Sequence, residues 1–235
     1  MKNLLLIGLT IGLLVSCNRE TKKTMTVTGN VKGLKKGTLF LQHIPDSVLV
    51  NVDSLKIEGD GNFTFKTELE SPEIFYLYLI KKDNNDINDR ITFFGEPGTI
   101  TINTSWNTFD IGADIEGSKS QKKLEEYNQV ISKFSKKSLD YMQALYDPKF
   151  RSDSLAIDSI KKLSDQNAVR EYLYSLNFVI NNPDSYVAPY VALRNIESTN
   201  VRFLDSIYKK LTPAVAESKY GKALKKYMED EEPAK

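Results

Sequence analysis

The sequence has 235 residues, of which 40% are hydrophobic and 27% are charged, and its formal net charge is +1. This composition is typical of a globular chain with one or two domains. Lysines are spread among acidic residues and are not gathered with aromatic residues, which excludes nucleic acid as an expected partner.

The first residues have the pattern of a secretory signal peptide. Met1-Lys2-Asn3 is a short basic start, and residues 4–15 form an apolar core. That core is shorter than the roughly 20 apolar residues of a membrane-spanning helix. We therefore expect residues 1–16 to be removed as a signal peptide.

The stretch Leu14-Val15-Ser16-Cys17, which contains the only cysteine, resembles the lipobox of bacterial lipoproteins. The resemblance implies that Cys17 becomes the first residue and is acylated on its sulfur and nitrogen. Two or more acyl chains give stable anchoring in a membrane. The alternative is an ordinary secretion signal with an incidental cysteine.

Residues 17–24 are expected to form a short polar tether between the lipid and the fold. Residues 18–23 lack the acidic cluster of surface-export signals. We therefore expect a cell-envelope lipoprotein of the outer membrane that faces the periplasm.

Residues 25–117 predict an antiparallel β-sandwich or a barrel-like domain of about eight strands, the first part of an α+β fold. The strands are expected at residues 25–28, 38–41, 48–57, 63–65, 74–80, 91–94, 99–102 and 109–115. The nearly continuous apolar run 74–80 indicates a central strand. Asp60-Gly61 predicts a β-hairpin, and Glu96-Pro97-Gly98 predicts a turn.

Residues 118–228 predict a helical array, because the apolar spacing becomes that of helices after Gly117. Three shorter helices are expected after two long ones, at 184–194, 200–211 and 218–228, before an acidic tail at 229–235. The first long helix is expected to begin at Ser118, with Gln121 as its capping-box partner, and to end at Asp147-Pro148. The second is expected to begin at Ser152 or Asp153 and to end at Asn182-Pro183.

The sequence contains one histidine, His43, and no Gly-x-Ser-x-Gly nucleophile elbow. With Cys17 acylated, no free cysteine remains for a Cys-His pair. We interpret His43 as the end of a strand and expect no enzyme activity, no zinc site and no cofactor. A hydrolase built on paired carboxylates stays open, because the sequence does not reveal which carboxylates meet in space.

Two loops resemble ligand sites in their composition. Residues 33–38 are rich in Gly and Lys, as a phosphate-binding loop is, but a strand is expected where that loop needs a helix. A hairpin turn is favoured there. Residues 83–89 concentrate Asp and Asn, as a calcium loop does. Ile87 stands where an oxygen ligand is needed, so a solvated hairpin loop is favoured.

Two further features suggest surface functions. Trp106 lies in a loop, where an exposed indole could stack on a sugar or anchor a partner; a partly buried packing residue is the alternative. Five Asp-Ser pairs precede aliphatic residues, which resembles the acceptor pattern of a general protein O-glycosylation system in some Gram-negative bacteria. The candidate acceptors are Ser47, Ser54, Ser154, Ser159 and Ser206. Ordinary turn and cap residues are the alternative interpretation.

Several short motifs in a characteristic order carry a family resemblance. They are residues 26–34 (TVTGNVKGL), 52–54 (VDS), 61–65 (GNFTF), 94–100 (FGEPGTI) and 115–118 (IEGS). Their order resembles the uncharacterised β-domain found N-terminal to thioredoxin-like thiol-disulfide oxidoreductases of the AhpC/TSA and TlpA-like type, in cell-envelope lipoproteins. Residues 182–188 (NPDSYVA) are similar to the segment that bridges to the thioredoxin domain in those proteins.

The resemblance implies a fold and an envelope location, but no catalytic residue. The Cys-x-x-Cys motif of such relatives lies on a C-terminal domain that this sequence does not contain. We therefore expect a lipid-anchored, non-catalytic binding or protein-interaction module. The alternative is an accessory protein of a thiol-disulfide redox system that docks a separate thioredoxin-like partner.

Overall fold

The structure is a computed structural model that describes residues 23–81, 89–150, 153–195 and 201–231. The predicted signal peptide, the candidate lipidation site Cys17 and residues 83–88 of the candidate calcium loop lie outside the described residues. So do the last four residues of the predicted tail, 232–235.

The described residues form eight strands in two four-stranded sheets, followed by helices, which confirms the α+β fold. The strands are β1 Thr24–Lys32, β2 Lys36–His43, β3 Val50–Glu58, β4 Asn62–Glu68, β5 Glu73–Lys81, β6 Asp89–Gly95, β7 Gly98–Ser105 and β8 Asp114–Glu116. We name the sheets after a central strand: the β1 sheet has the order β4-β1-β7-β8, and the β5 sheet has the order β3-β2-β5-β6. The apolar strand β5 is central, as predicted.

The two sheets share one apolar core, as a β-sandwich requires. Val27 and Ile100 of the β1 sheet and Leu39 and Leu77 of the β5 sheet are fully buried in it. On β5 this inward set alternates with Ile74 and the following even-numbered residues, which face away from the sandwich. The outer face of the β5 sheet is therefore also apolar, which explains why the run 74–80 shows little alternation.

Tight turns carry the chain from one sheet to the other, so the hairpins predicted at residues 33–38 and at Asp60-Gly61 are wrong. After Gly61 the chain continues into β4, which pairs with β1 and not with the preceding β3. Gly61 has a φ of +77°, and a Cβ there would lie 2.2 Å from the carbonyl oxygen of Val31. A glycine permits this close crossing.

One strand pair is parallel, and one predicted strand is short. β1 and β7 run parallel, in contrast to the antiparallel sheet that was expected. At Gly29 the two backbones approach so closely that a Cβ would lie 1.8 Å from the carbonyl oxygen of Ile102. Of the strand expected at 109–115, only residues from Asp114 onward pair with β7. Phe109 is fully buried, but it reaches the core from a turn, where its carbonyl accepts a hydrogen bond from Thr104 at 2.9 Å.

The helices are α1 Lys119–Tyr146, α2 Ser154–Asn181, α3 Val187–Arg194, α4 Val201–Tyr208, α5 Pro213–Ala216 and α6 Lys219–Glu231. Five helices were expected, and the additional one, α5, is a single turn that Pro213 begins. Asp153 is the cap of α2, since its carboxylate accepts from the N–H of Ala156 at 3.0 Å. No helix in the described ranges is long and apolar enough to span a bilayer.

The start of α1 binds the edge of the β5 sheet. Ser118 caps the helix by accepting from the N–H of Gln121 at 2.9 Å, and its hydroxyl donates to the carbonyl of Phe94 at 2.9 Å. The predicted capping box is incomplete, because the Gln121 amide oxygen accepts from the N–H of Phe94 at 2.8 Å instead of bonding back to Ser118. These side chains pair with strand-edge groups of β6 that would otherwise be unsatisfied.

The helices pack on the outer face of the β5 sheet around a second apolar core. Ile74 and Phe94 of that sheet are buried together with Val179, Val191 and Leu224 from three different helices. Phe94 is fully buried. The sandwich and the helical array are therefore joined by a continuous apolar interface, which fixes α6 against the start of β5.

Candidate functional site

A cleft of about 1210 Å³ lies where one end of the sandwich meets the helices. Its sandwich wall consists of Lys23 just before β1, the end of β2 with the following loop, the connection from β4 to β5, and the start of β5. Its helical wall consists of the end of α3 and one face of α6. A concave site between two structural layers is a common place for a ligand.

The floor of the cleft is formed by an ionic cluster around Glu73, the first residue of β5. Glu73 is 8% exposed, and its two carboxylate oxygens bind different partners. His43 Nδ1 lies 3.2 Å from Oε1 of Glu73, and the Lys219 ammonium binds Oε2. Lys219 also donates to the carbonyl oxygen of Ile44. The cluster therefore joins β2, β5 and α6.

Two backbone contacts hold α6 in the same place. The N–H of Lys219 donates to the Ser71 hydroxyl at 3.0 Å, and the N–H of Ile74 donates to the Tyr220 hydroxyl at 3.0 Å. Burial raises the pKa of Tyr220 well above its ordinary value, so the phenol stays neutral. The helix start and the strand start thus satisfy each other's polar groups.

An aromatic wall stands beside this floor. Tyr76, Tyr190 and Tyr220 all line the cleft, and the rings of Tyr190 and Tyr220 lie 5.1 Å apart. Phe94 packs edge-on against Tyr190 at 5.9 Å from the buried side. Burial also raises the pKa of Tyr190. These rings offer the cleft a rigid surface that combines apolar faces with hydroxyl groups.

The rim of the cleft carries both signs of charge. Lys219, Lys222 and Lys226 follow one another on α6 at spacings that place them on one helix face. On the sandwich side, Glu68 and Glu70 are exposed at the end of β4 and just after it. Glu217 also lines the helical side and Lys23 the sandwich side, so lysines outnumber carboxylates on the helical wall and carboxylates outnumber lysines on the sandwich wall.

His43 is the last residue of β2, as the sequence indicates. Its ring stacks on Phe75 with centroids 5.1 Å apart and an interplanar angle of 6°. A carboxylate-based hydrolase would need two converging carboxylates. In the cleft the buried Glu73 converges instead on a lysine and the histidine.

Sequence reasoning missed the pairing of Glu73 with Lys219, because these residues are 146 positions apart in the chain. One signal was available. Glu73 directly precedes the apolar run of β5, and a charge at the start of a buried strand needs a partner. The position of that partner depends on how the helices pack, which periodicity does not give.

Trp106 lies away from the cleft, in the turn that follows β7. Its side chain is 44% exposed, and the Lys81 ammonium lies 5.7 Å from the ring centroid. The indole covers Gly33, where a Cβ would come within 2.6 Å of the ring. Trp106 is thus a half-exposed packing residue, and its role in binding a partner stays a prediction.

The five candidate glycosylation serines are all exposed: Ser47, Ser54, Ser154, Ser159 and Ser206. Ser47 also lines the cleft. One of these Asp-Ser pairs has the alternative role of a helix cap, since Asp153 caps α2. Glycan attachment stays a prediction.

The strands that flank the two loops resembling ligand sites favour ordinary connections between strands. The segment at residues 33–38 leads into strand β2, which is incompatible with a phosphate-binding loop. Strands β5 and β6, on either side of residues 82–88, pair antiparallel as a hairpin requires. Within the described part of the chain, no group of three or more His, Cys, Asp or Glu side chains is arranged to hold a metal ion.

Residues 25–124 are similar to a family described as a domain of unknown function, DUF4369. The match agrees with the expected uncharacterised β-domain and extends into the first turns of α1, which contain the residues that bind the edge of β6. No curated protein and no solved structure matches the chain.

Proposed function

We propose that this protein is a non-catalytic binding module that is anchored to the cell envelope through lipid on Cys17, and that the cleft is its binding site. The observation that carries the proposal is the position of the cleft. Both layers of the protein build it, and its floor is closed by the cluster of His43, Glu73 and Lys219.

The contacts of these ionisable groups favour a binding function over a catalytic one. Both oxygens of Glu73 are engaged, and His43 is held between Glu73 and the face of Phe75. A general base must reach a proton on the substrate, and groups that bind each other are less available for that task. The cluster serves to hold α6 on the sandwich and to shape the cleft.

The start of the fold supports anchoring at the same end of the molecule. Lys23 lines the cleft, and its carbonyl accepts from the N–H of Leu69 at 3.0 Å. Cys17 precedes Lys23 by six residues. A lipid on Cys17 would therefore hold the cleft end of the protein near the bilayer.

Site-specific photo-crosslinking in the native envelope tests the binding site. A small aliphatic diazirine residue in place of Ala223, which is exposed and lines the cleft, should give a defined adduct without blocking the cleft as a large aromatic residue would. The matched control is the same residue in place of Lys225, which is exposed on α6 but does not line the cleft. Equal adducts at both positions, or none at either, would contradict the proposal.

The nature of the adduct separates the proposal from the alternative function. Transfer of a small molecule or lipid to position 223 supports a ligand-binding module. Repeated capture of one protein with a Cys-x-x-Cys motif would favour the redox accessory function, with docking of a separate thioredoxin-like partner.

The anchor has its own test. Cys17→Ala should abolish acylation. A variant that keeps its signal peptide should stay at the membrane as a precursor of higher mass, whereas a variant that is cleaved should be released from washed membranes without detergent. A processed Cys17→Ala protein that stays membrane-bound would contradict lipid anchoring and leave the cleft proposal unaffected.

A further inference from the structure

The cleft has chemistry that points to a class of ligand. Lys222 and Lys226 are exposed on α6 and face the cleft together with Lys219. Lys219 is engaged by Glu73, whereas Lys222 has only a distant contact with Glu217 at 4.0 Å. Two lysine ammonium groups one helical turn apart are suited to an anionic group such as a phosphate.

The opposite rim is suited to a cation. Glu68 and Glu70 lie on the sandwich side, and Asp46 lies in the loop after β2. These three carboxylates outnumber Lys23, the lysine that lines the same side. A ligand with negative charge alone would meet this acidic rim unfavourably, because like charges repel across a cleft only partly screened by water. A ligand that carries both a phosphate and an ammonium group matches both walls.

The aromatic wall accepts the part of the ligand next to its charged head. Tyr76, Tyr190 and Leu193 line the same cleft as these charged groups. Tyrosine is suited to the boundary between a polar headgroup and an apolar chain, because its ring is apolar and its hydroxyl is polar. The cleft volume of about 1210 Å³ exceeds what a headgroup alone would fill.

The N-terminal end of the fold lies at the cleft, which places the cleft close to a source of such ligands. Six residues span at most about 20 Å, which limits the distance between an acylated Cys17 and Lys23 at the cleft. This step rests on the proposed lipid anchor. The membrane that holds the protein would then present phospholipid headgroups at the mouth of the cleft.

We propose that the cleft binds the headgroup of a zwitterionic phospholipid that carries a primary ammonium, as phosphoethanolamine does. Its phosphate binds Lys222 and Lys226, its ammonium binds Glu68 and Glu70, and its glycerol and first methylenes pack on the tyrosines. Such binding would hold the helical wall against the bilayer and make the protein sensitive to lipid composition.

Titration of the full-length lipoprotein in detergent micelles tests the inference without requiring a bilayer. Glycerophosphoethanolamine is the probe, glycerophosphoglycerol is the anionic comparison, and binding is followed by calorimetry. We expect the first probe to bind more tightly. Lys222→Gln combined with Lys226→Gln should weaken binding by about five- to tenfold, the loss expected for two exposed charge contacts.

Two further variants separate a headgroup site from general charge. Lys225→Gln on the same helix should leave affinity unchanged, since Lys225 does not line the cleft. Glu68→Gln combined with Glu70→Gln should remove the preference for the ethanolamine probe over the glycerol probe. The variants change exposed side chains, and an unchanged unfolding temperature verifies that each one folds.

Three results would overturn the inference: no binding of either probe, equal binding of both probes, or equal loss with Lys225→Gln. Tighter binding of a free dipeptide than of glycerophosphoethanolamine would also overturn it in favour of a peptide ligand. If the titration fails but a specific crosslink forms at position 223, the ligand class is wrong and the cleft remains a binding site. Headgroup binding together with a processed Cys17→Ala protein that stays membrane-bound rejects the anchor alone.

Discussion

Replacing Glu73 with glutamine is expected to weaken the attachment of α6 to the sandwich. The side chain of Glu73 is 10% exposed and that of Lys219 is 25% exposed. Hydrogen bonds to charged groups contribute about 1.5–3 kcal/mol each, and the partial exposure of Lys219 reduces its share. Glutamine keeps the shape but loses the charge that both partners need.

We therefore expect Glu73→Gln to lower the free energy of unfolding by about 2–3 kcal/mol, because a buried ion pair loses one partner. That loss corresponds to a fall of about 5–10 °C in unfolding temperature for a protein of this size. Urea unfolding followed by circular dichroism measures it. Glu70→Gln is the control, since Glu70 is exposed, and it should change stability by less than about 0.5 kcal/mol.

A double-mutant cycle with Lys219→Met isolates the interaction itself. The two single changes should be non-additive by about 1 kcal/mol or more, because they remove the same contact. The cluster does not hold the two layers together if Glu73→Gln lowers the free energy of unfolding no more than the Glu70→Gln control does. An additive cycle would lead to the same conclusion.

Three other changes test separate contacts. Ser118→Ala should cost about 1–2 kcal/mol in urea unfolding, because it removes the cap of α1 and the hydrogen bond to Phe94. Gly29→Ala should prevent soluble expression or cost more than about 3 kcal/mol, because its Cβ would lie 1.8 Å from the Ile102 carbonyl oxygen; normal stability would contradict the parallel pairing of β1 and β7. Burial raises the pKa of Tyr220 above the value of about 10 of an unfolded tyrosine. The folded state therefore holds this proton more tightly, so its contribution to stability is complete below about pH 10 and is lost as the pH rises further. Tyr220→Phe should therefore lose less stability than the wild type as the pH rises above about 10.

Local chemistry was sufficient to predict most of the elements. Alternation located the strands, and the apolar run 74–80 correctly indicated a central strand. Asp153 caps α2 as its residue type suggests. These features depend on neighbours a few positions away, so they can be read from the chain.

Pairing over long distances could not be predicted from the same patterns. Asp60-Gly61 has the composition of a hairpin turn, yet β4 pairs with β1, because the sandwich places β3 and β4 in different sheets. Gln121 has the spacing of a capping box, but a strand edge offered it a backbone N–H to satisfy. The cleft likewise depends on where α6 packs, which the contact of Tyr220 with Ile74 reveals only in three dimensions.

Native mass spectrometry of the protein extracted from its own membrane most directly tests whether the cleft holds a ligand. We expect the wild-type protein to retain a non-covalent ligand in addition to the proposed lipid on Cys17, and Ala223→Trp, which places an indole in the cleft from α6, to lose it. Lys225→Trp should retain the ligand, since Lys225 lies outside the cleft lining. An equal excess over the covalent mass in the wild type and in Ala223→Trp, or no excess in the wild type, would contradict a binding function for the cleft.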